Sequence, residues 1–206
     1  MTEAISSELS PELQSALLVI QQGGVVAFPT ETYYGLAVDP FNCQAVERLF
    51  QLKRRPSAKP LLVLIDRQER LSRLAVAIPE QFSLLMDRFW PGPLTLIFPA
   101  LPSLSPILTA ATNTVGIRIS SHPLASAFCT LAGGALTGTS ANLAGQRPAA
   151  SEHEVMAQFG HRLDWLLKAG PTKGGLASTI VAADACGLRL VREGAISFGE
   201  IASLAV

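Results

Sequence analysis

The apolar runs of this chain are of strand length, as in Leu61–Ile65 and Leu94–Phe98, and none approaches the ~18 residues of a membrane span. Between them lie segments with helical spacing and clear punctuation. Ser10 is placed to cap a helix, Pro11 suits its first turn, and Gly23-Gly24 stops it. A second helix is expected from Asn42 to about Lys53, and others near Gln68–Leu74, Pro79–Phe89, Pro123–Leu131, Glu152–Phe159 and Phe198–Leu204. Strands are expected at Val25–Phe28, Pro60–Ile65, Leu94–Phe98, Val115–Ile119, Leu136–Thr139, Trp165–Lys168, Thr179–Ala182 and Leu188–Val191. Such interleaving gives an α/β class with a mixed sheet. With 206 residues and no repeat, linker or low-complexity tract, residues 1–206 form one domain, with its core at about 10–196.

Composition excludes several classes. Sixteen basic and sixteen acidic side chains balance, so the chain lacks the basic excess of a nucleic-acid binder that uses its whole surface. The start, Met1-Thr2-Glu3-Ala4-Ile5, carries an acid where a secretory signal would carry positive charge, and a cytoplasmic location follows. Cys43, Cys129 and Cys186 are scattered and odd in number, which points to free thiols. His122, His153 and His161 form no ligand pair, so no protein-bound metal is expected.

Four segments break the core-building pattern. Phe28-Pro29-Thr30-Glu31-Thr32-Tyr33-Tyr34-Gly35-Leu36 ends a buried strand in hydroxyls, an acid and two phenols. Lys53-Arg54-Arg55-Pro56-Ser57-Ala58-Lys59-Pro60 sets four cations in a proline-stiffened loop, which suits a polyphosphate as well as a helix C-terminus. Thr137-Gly138-Thr139-Ser140-Ala141-Asn142 and Gly174-Gly175-Leu176-Ala177-Ser178-Thr179 bring small polar groups and glycines to strand ends, where backbone amides can approach an anion. Arg118 and Arg192 fall in or beside apolar strands and each needs an anion or a buried acid. Neither a Walker A loop nor G-x-G-x-x-G occurs, so local chemistry stops at an anion site.

As a set, these motifs resemble the YrdC-type threonylcarbamoyl-AMP synthases. The similarity runs in order through Pro29-Thr30-Glu31-Thr32-x-Tyr34-Gly35-Leu36, Lys53-x-Arg55-Pro56, Lys59-Pro60-Leu61, Trp90-Pro91-Gly92-Pro93-Leu94-Thr95 and Val115-Gly116-Ile117-Arg118. It continues in Thr139-Ser140-Ala141-Asn142, Ser178-Thr179-Ile180 and Leu190-x-Arg192-x-Gly194-Ala195. The resemblance implies a twisted, open mixed sheet with flanking helices around a cationic cavity, in the short single-domain form. It implies a nucleotidyltransferase that makes L-threonylcarbamoyladenylate from L-threonine, bicarbonate or CO2 and ATP, with release of pyrophosphate. Magnesium would accompany ATP, and downstream proteins would transfer the threonylcarbamoyl group to the adenosine beside the anticodon of tRNA.

Position by position, the resemblance assigns Lys53, Arg55, Ser140 and Asn142 to the nucleotide and acyl-adenylate. Lys59, Thr114 and Arg192 fall to ATP, and Thr32, Arg118 and Ser178 to threonine. Leu64 stands where many members have histidine near the amino acid. Two rival readings follow: an RNA-binding module of the same fold, taking tRNA or double-stranded RNA, and a paralogue activating another small acid.

Overall fold

Helix α1 (Pro11–Gln21) begins where Ser10 Oγ accepts the Leu13 amide at 3.3 Å, with Pro11 in the first turn. The computed structural model describes residues 10–55 and 60–204. After α1 the described chain runs through β1 (Val26–Phe28), β2 (Gly35–Ala37), α2 (Cys43–Lys53), β3 (Leu62–Ile65), α3 (Phe82–Phe89), β4 (Leu94–Pro99), α4 (Pro106–Thr109) and β5 (Thr114–Arg118). It continues with α5 (Pro123–Leu131), β6 (Ala135–Thr137), β7 (Thr139–Ser140), α6 (Glu152–Phe159), β8 (Trp165–Leu166), β9 (Thr179–Asp184), β10 (Gly187–Arg192) and α7 (Phe198–Ala202). The Gln68–Arg73 segment is helical but of the tighter three-residue type. Among the described residues no helix is long and apolar enough to cross a membrane.

The strands divide into two open sheets rather than one. A four-stranded sheet has the order β7-β2-β1-β8, and a six-stranded one the order β10-β9-β4-β5-β3-β6. Both mix parallel and antiparallel pairs, as where β3 runs parallel to β5 but antiparallel to β6. The chain changes sheet at Gly138, between β6 and β7. A Cβ there would lie 2.7 Å from Leu64 Cγ and 2.8 Å from Leu62 Cδ2, so only glycine lets the backbone cross so close to β3.

Alternation along the strands sorts the core into two clusters. Val26, Phe28 and Leu64 join α1 and α5 through Ile20 and Phe128, whereas Ala27, Val63 and Ile65 face the larger cluster that includes Leu49 of α2 and Phe82 of α3. The Phe28 and Phe128 rings meet edge to face at 5.8 Å between centroids. These layers fix the strand ends that carry the site.

Register decides which ends coincide. In the six-stranded sheet, Leu96 pairs with Ile117, Leu94 with Thr179, and Arg192 with Ile180. The C-terminal end of β5, the N-terminal ends of β4 and β9, and the C-terminal end of β10 therefore share one edge. Arg118, Ser178 and Arg192 sit there together.

Candidate active site

Helix α2 sets two cations in opposite directions. Asn42 caps its start, and Arg54 closes its end in the left-handed conformation at φ 51°. Lys53, in the last helical turn, points inward and is 2% exposed. Its Nζ donates to the Asn142 carbonyl at 2.8 Å and to the Ser140 carbonyl. Burial, and then the Arg55 charge, pull its pKa down to about 7. Arg55, one residue beyond the turn, faces a cavity and donates to the Pro60 carbonyl at 2.9 Å.

That cavity, of about 190 Å³ and open to solvent, lies between the edges of the two sheets. From the four-stranded side come Thr30, Thr32 and Tyr33 after β1, and Ser140 at the end of β7. From the six-stranded side come Arg118, Ser178 and Arg192. Burial lowers the pKa of Arg55, Arg118 and Arg192 alike, and Arg118 lowers that of Arg192 further. The three guanidiniums nevertheless keep their charge at neutral pH, because arginine starts so high. Three cations converging on one small cavity favour a compact, highly charged anion over the spread phosphates of an RNA face.

The hydroxyls are held in place. Thr30 and Thr32 share a hydrogen bond of 3.1 Å, and Thr30 Oγ1 donates to the Tyr33 carbonyl at 2.7 Å. Ser140 Oγ donates to Asn142 Oδ1 at 2.6 Å, while the Asn142 amide donates to the carbonyls of Leu143 and Gln146. Ser178 Oγ lies 2.9 Å from Thr95 Oγ1, and Arg192 Nη2 donates to the Ser178 carbonyl at 2.8 Å.

The structure therefore gathers most of the residues singled out in the sequence, but in two different roles. Arg55, Ser140, Arg192, Thr32, Arg118 and Ser178 line the cavity. Lys53 and Asn142 are not among the described residues lining it; Lys53 bonds the Ser140 and Asn142 carbonyls and Asn142 accepts the Ser140 hydroxyl, so both brace the Ser140 turn. The physical reason is that Lys53 lies on the buried face of α2 with Val46, Leu49 and Phe50, while the left-handed turn at Arg54 redirects the chain at Arg55. Thr114 starts β5 at the end opposite Arg118, shares a 2.8 Å hydrogen bond with Thr112, and is not among the described residues lining this cavity. Lys59 lies outside the described residues. Leu64 is buried in the cluster that holds Leu136 and Phe128, with its side chain close against Gly138, and is not among the described lining residues, while Leu62 is. Among the described residues no three His, Cys, Asp or Glu side chains gather as a metal site.

Two residues escaped sequence reasoning. Glu31 places Oε1 3.0 Å from Arg118 Nη1, and Ser120 Oγ donates to Glu31 Oε2. The requirement that an arginine in an apolar strand have a partner was the available signal. It did not say which acid would answer.

Comparison with known proteins decides the family. Residues 18–194 match the sequence model of the Sua5/YciO/YrdC family, described as telomere recombination. The chain belongs to that family. It is 41% identical over 182 residues to the threonylcarbamoyl-AMP synthase of Bacillus subtilis, covering 86% of this chain but 52% of that one. It is 39% identical over 155 residues to the threonylcarbamoyl-AMP synthase of Halorhodospira halophila, covering 75% of this chain and 81% of that one. Among solved structures, Pyrococcus abyssi Sua5 complexed with L-threonine superposes with a TM-score of 0.90 at 34% identity, over 93% of this chain and 56% of that one. The chain thus spans about half the length of the Bacillus and Pyrococcus proteins and about four fifths of the Halorhodospira one.

Proposed function

We propose that this member of the Sua5/YciO/YrdC family catalyses ATP-dependent formation of L-threonylcarbamoyladenylate from L-threonine and bicarbonate or CO2, releasing pyrophosphate. The product would supply the threonylcarbamoyl group to proteins that modify tRNA. The observation that carries this reading is the convergence of Arg55, Arg118 and Arg192 with Thr32, Ser140 and Ser178 on one cavity. It is supported by relatives named threonylcarbamoyl-AMP synthase and by a close structural neighbour that holds L-threonine.

The chemistry asks for charge placement rather than a nucleophilic side chain. The threonine amine, deprotonated, attacks the carbon of CO2 to give a carbamate. A carbamate oxygen then attacks the α-phosphorus of ATP as the bond to pyrophosphate breaks. Negative charge builds on the phosphoryl oxygens and the leaving group, where Arg55 and Arg192 supply fixed compensation. Arg118 takes the threonine carboxylate, with Thr32 and Ser178 as polar contacts. Ser140, braced by Asn142 and Lys53, fixes the turn against the nucleotide. Magnesium would enter with ATP and offset phosphate charge, since no carboxylate is among the described residues lining the cavity and Glu31 is taken by Arg118 and Ser120.

Incubation with ATP, bicarbonate and L-threonine, read by mass detection of the adenylate and by pyrophosphate release, tests the reading. Product that depends on all three substrates is expected. Pyrophosphate release without threonine, or with serine in its place at an equal rate, would contradict it.

A further inference from the structure

Arg118 and Glu31 meet from different sheets. Arg118 ends β5 of the six-stranded sheet, and Glu31 stands in the loop that leaves β1 of the four-stranded one. Their side chains are 4% and 10% exposed. A buried ion pair that serves stability alone needs its remaining donors and acceptors satisfied, because desolvation otherwise exceeds the attraction. This pair does not meet that condition. Nη1 and Oε1 are 3.0 Å apart, yet Oε1 makes no aligned hydrogen bond, and the buried Arg118 Nε has no hydrogen-bond partner either. Charge, rather than directed hydrogen bonding, keeps the two together.

Glu31 itself is better anchored than its partner. Its other oxygen, Oε2, accepts the Ser120 hydroxyl, and Ser120 Oγ also accepts the His122 amide at 3.2 Å. The carboxylate is therefore tied to the backbone just beyond β5. The guanidinium, with five donors and Glu31 as its ion-pair partner among the described residues, has capacity left on the side where Arg118 lines the cavity. Among the described residues lining that cavity there is no carboxylate. Arg118 thus keeps a net attraction for an anion there, while the acid behind it fixes where the guanidinium sits.

From this geometry we infer that Glu31 is the positioning residue for Arg118, presenting its guanidinium to the carboxylate of the amino-acid substrate, with Ser120 fixing Glu31 in turn. The inference rests on the assignment of Arg118 to that carboxylate. Glu31 touches neither substrate nor the reacting atoms. Its effect reaches the amino acid through Arg118 and leaves the nucleotide end, at Arg55 and Ser140, unaltered.

Steady-state pyrophosphate release by the full chain, with threonine and ATP varied in turn, separates the possibilities. Glu31→Gln keeps the shape and removes the charge. It is expected to raise the threonine KM about tenfold or more, with the ATP KM within about twofold, as befits one charge-assisted contact set loose. Glu31→Asp keeps the charge one methylene short and recovers part of the loss, and Ser120→Ala gives a smaller rise of the same kind. Thermal melting of each variant runs in parallel. If Glu31→Gln leaves the threonine KM unchanged, or raises both KM values together with a fall in Tm, Glu31 is scaffold and the role fails. Arg118→Lys is the check on the underlying assignment. A raised threonine KM there with none in Glu31→Gln removes the role of Glu31 alone. An unchanged threonine KM in Arg118→Lys removes both.

Discussion

Lys53 Nζ lies 2.8 Å from the carbonyl oxygen of Asn142 and also bonds that of Ser140. One buried ammonium thereby closes the turn that carries Ser140 to the cavity, while its neighbour Arg55 faces the cavity itself. Two cations separated by one residue thus have different surroundings, and their loss is expected to have different consequences.

Lys53→Met removes both bonds to the turn. It should lower stability by about 2 kcal/mol or more, since hydrogen bonds from a charged group contribute roughly 1.5–3 kcal/mol and the orphaned carbonyls add to the loss. Turnover should fall about ten- to a hundredfold as Ser140 and Asn142 lose their support. Arg55→Ala should depress turnover by a similar factor while costing less stability than Lys53→Met, because Arg55 faces the cavity and bonds the Pro60 carbonyl, whereas the more deeply buried Lys53 bonds two carbonyls of the turn. Urea denaturation beside pyrophosphate release distinguishes the two. Equal stability losses in both variants would remove the division of roles.

Lys53 also gives stability a predictable slope with pH. Its pKa falls from 10.5 in the free side chain to about 7 in the fold, chiefly through burial. Between these values the unfolded chain binds more protons than the folded one, so stability rises with pH. Below about 7 both states are protonated and the slope vanishes. The neutral amine keeps two N–H donors, enough for both carbonyls. The burial-raised thiol of Cys129, at about 12, acts in the opposite direction above pH 9. Denaturation at pH 7, 8 and 9 should therefore show the native protein gaining stability and Lys53→Met lacking that gain.

Arg192 holds Ser178 by its carbonyl, through Nε at 3.3 Å and Nη2 at 2.8 Å, and lines the cavity beside it. A lysine supplies the charge but not the fork. Arg192→Lys should weaken ATP about tenfold by loss of geometry and should also raise the threonine KM, because Ser178 is released. Ser178→Ala should raise the threonine KM alone. Both variants assayed against both substrates decide it, and an Arg192→Lys effect on ATP without any on threonine would separate the two residues.

How much of this was legible in the sequence varies by residue. Helices with strong punctuation, such as α2 behind Asn42, were placed to within a residue. The strand at Gly35–Ala37 was not, because three residues following a polar loop carry no alternation to read. Tyr34, taken for a loop phenol, is fully buried, with its hydroxyl donating to the Gly170 carbonyl at 2.8 Å. The cavity residues were found because cations and hydroxyls stood out at strand ends. Which of them faced inward was harder: Lys53 shares the buried face of α2 with Val46, Leu49 and Phe50 by helical spacing, but the path of Arg55 depends on a left-handed turn at Arg54 that no residue type announces. The partnership of Arg118 with Glu31 is a contact between two sheets, and pairing across sheets has no local signature.

Gly138 couples the fold to the cavity. It lines the cavity, marks the change of sheet, and leaves no room for a Cβ, which would sit 2.7 Å from Leu64 Cγ and 2.8 Å from Leu62 Cδ2. Gly138→Ala must displace the Leu62 and Leu64 side chains or lift the β6–β7 segment, at a cost of about 1–3 kcal/mol as in other overpacked cores. Lifting that segment displaces Ser140, two residues on, so the ATP KM should rise with the loss of stability. Trimming β3 by Leu64→Ala in the same chain should recover part of both, since the added methyl would fill the space vacated. Denaturation midpoints and ATP KM values for the single and double variants test this, and additive losses in the double variant would show that the strain is not relieved at Leu64.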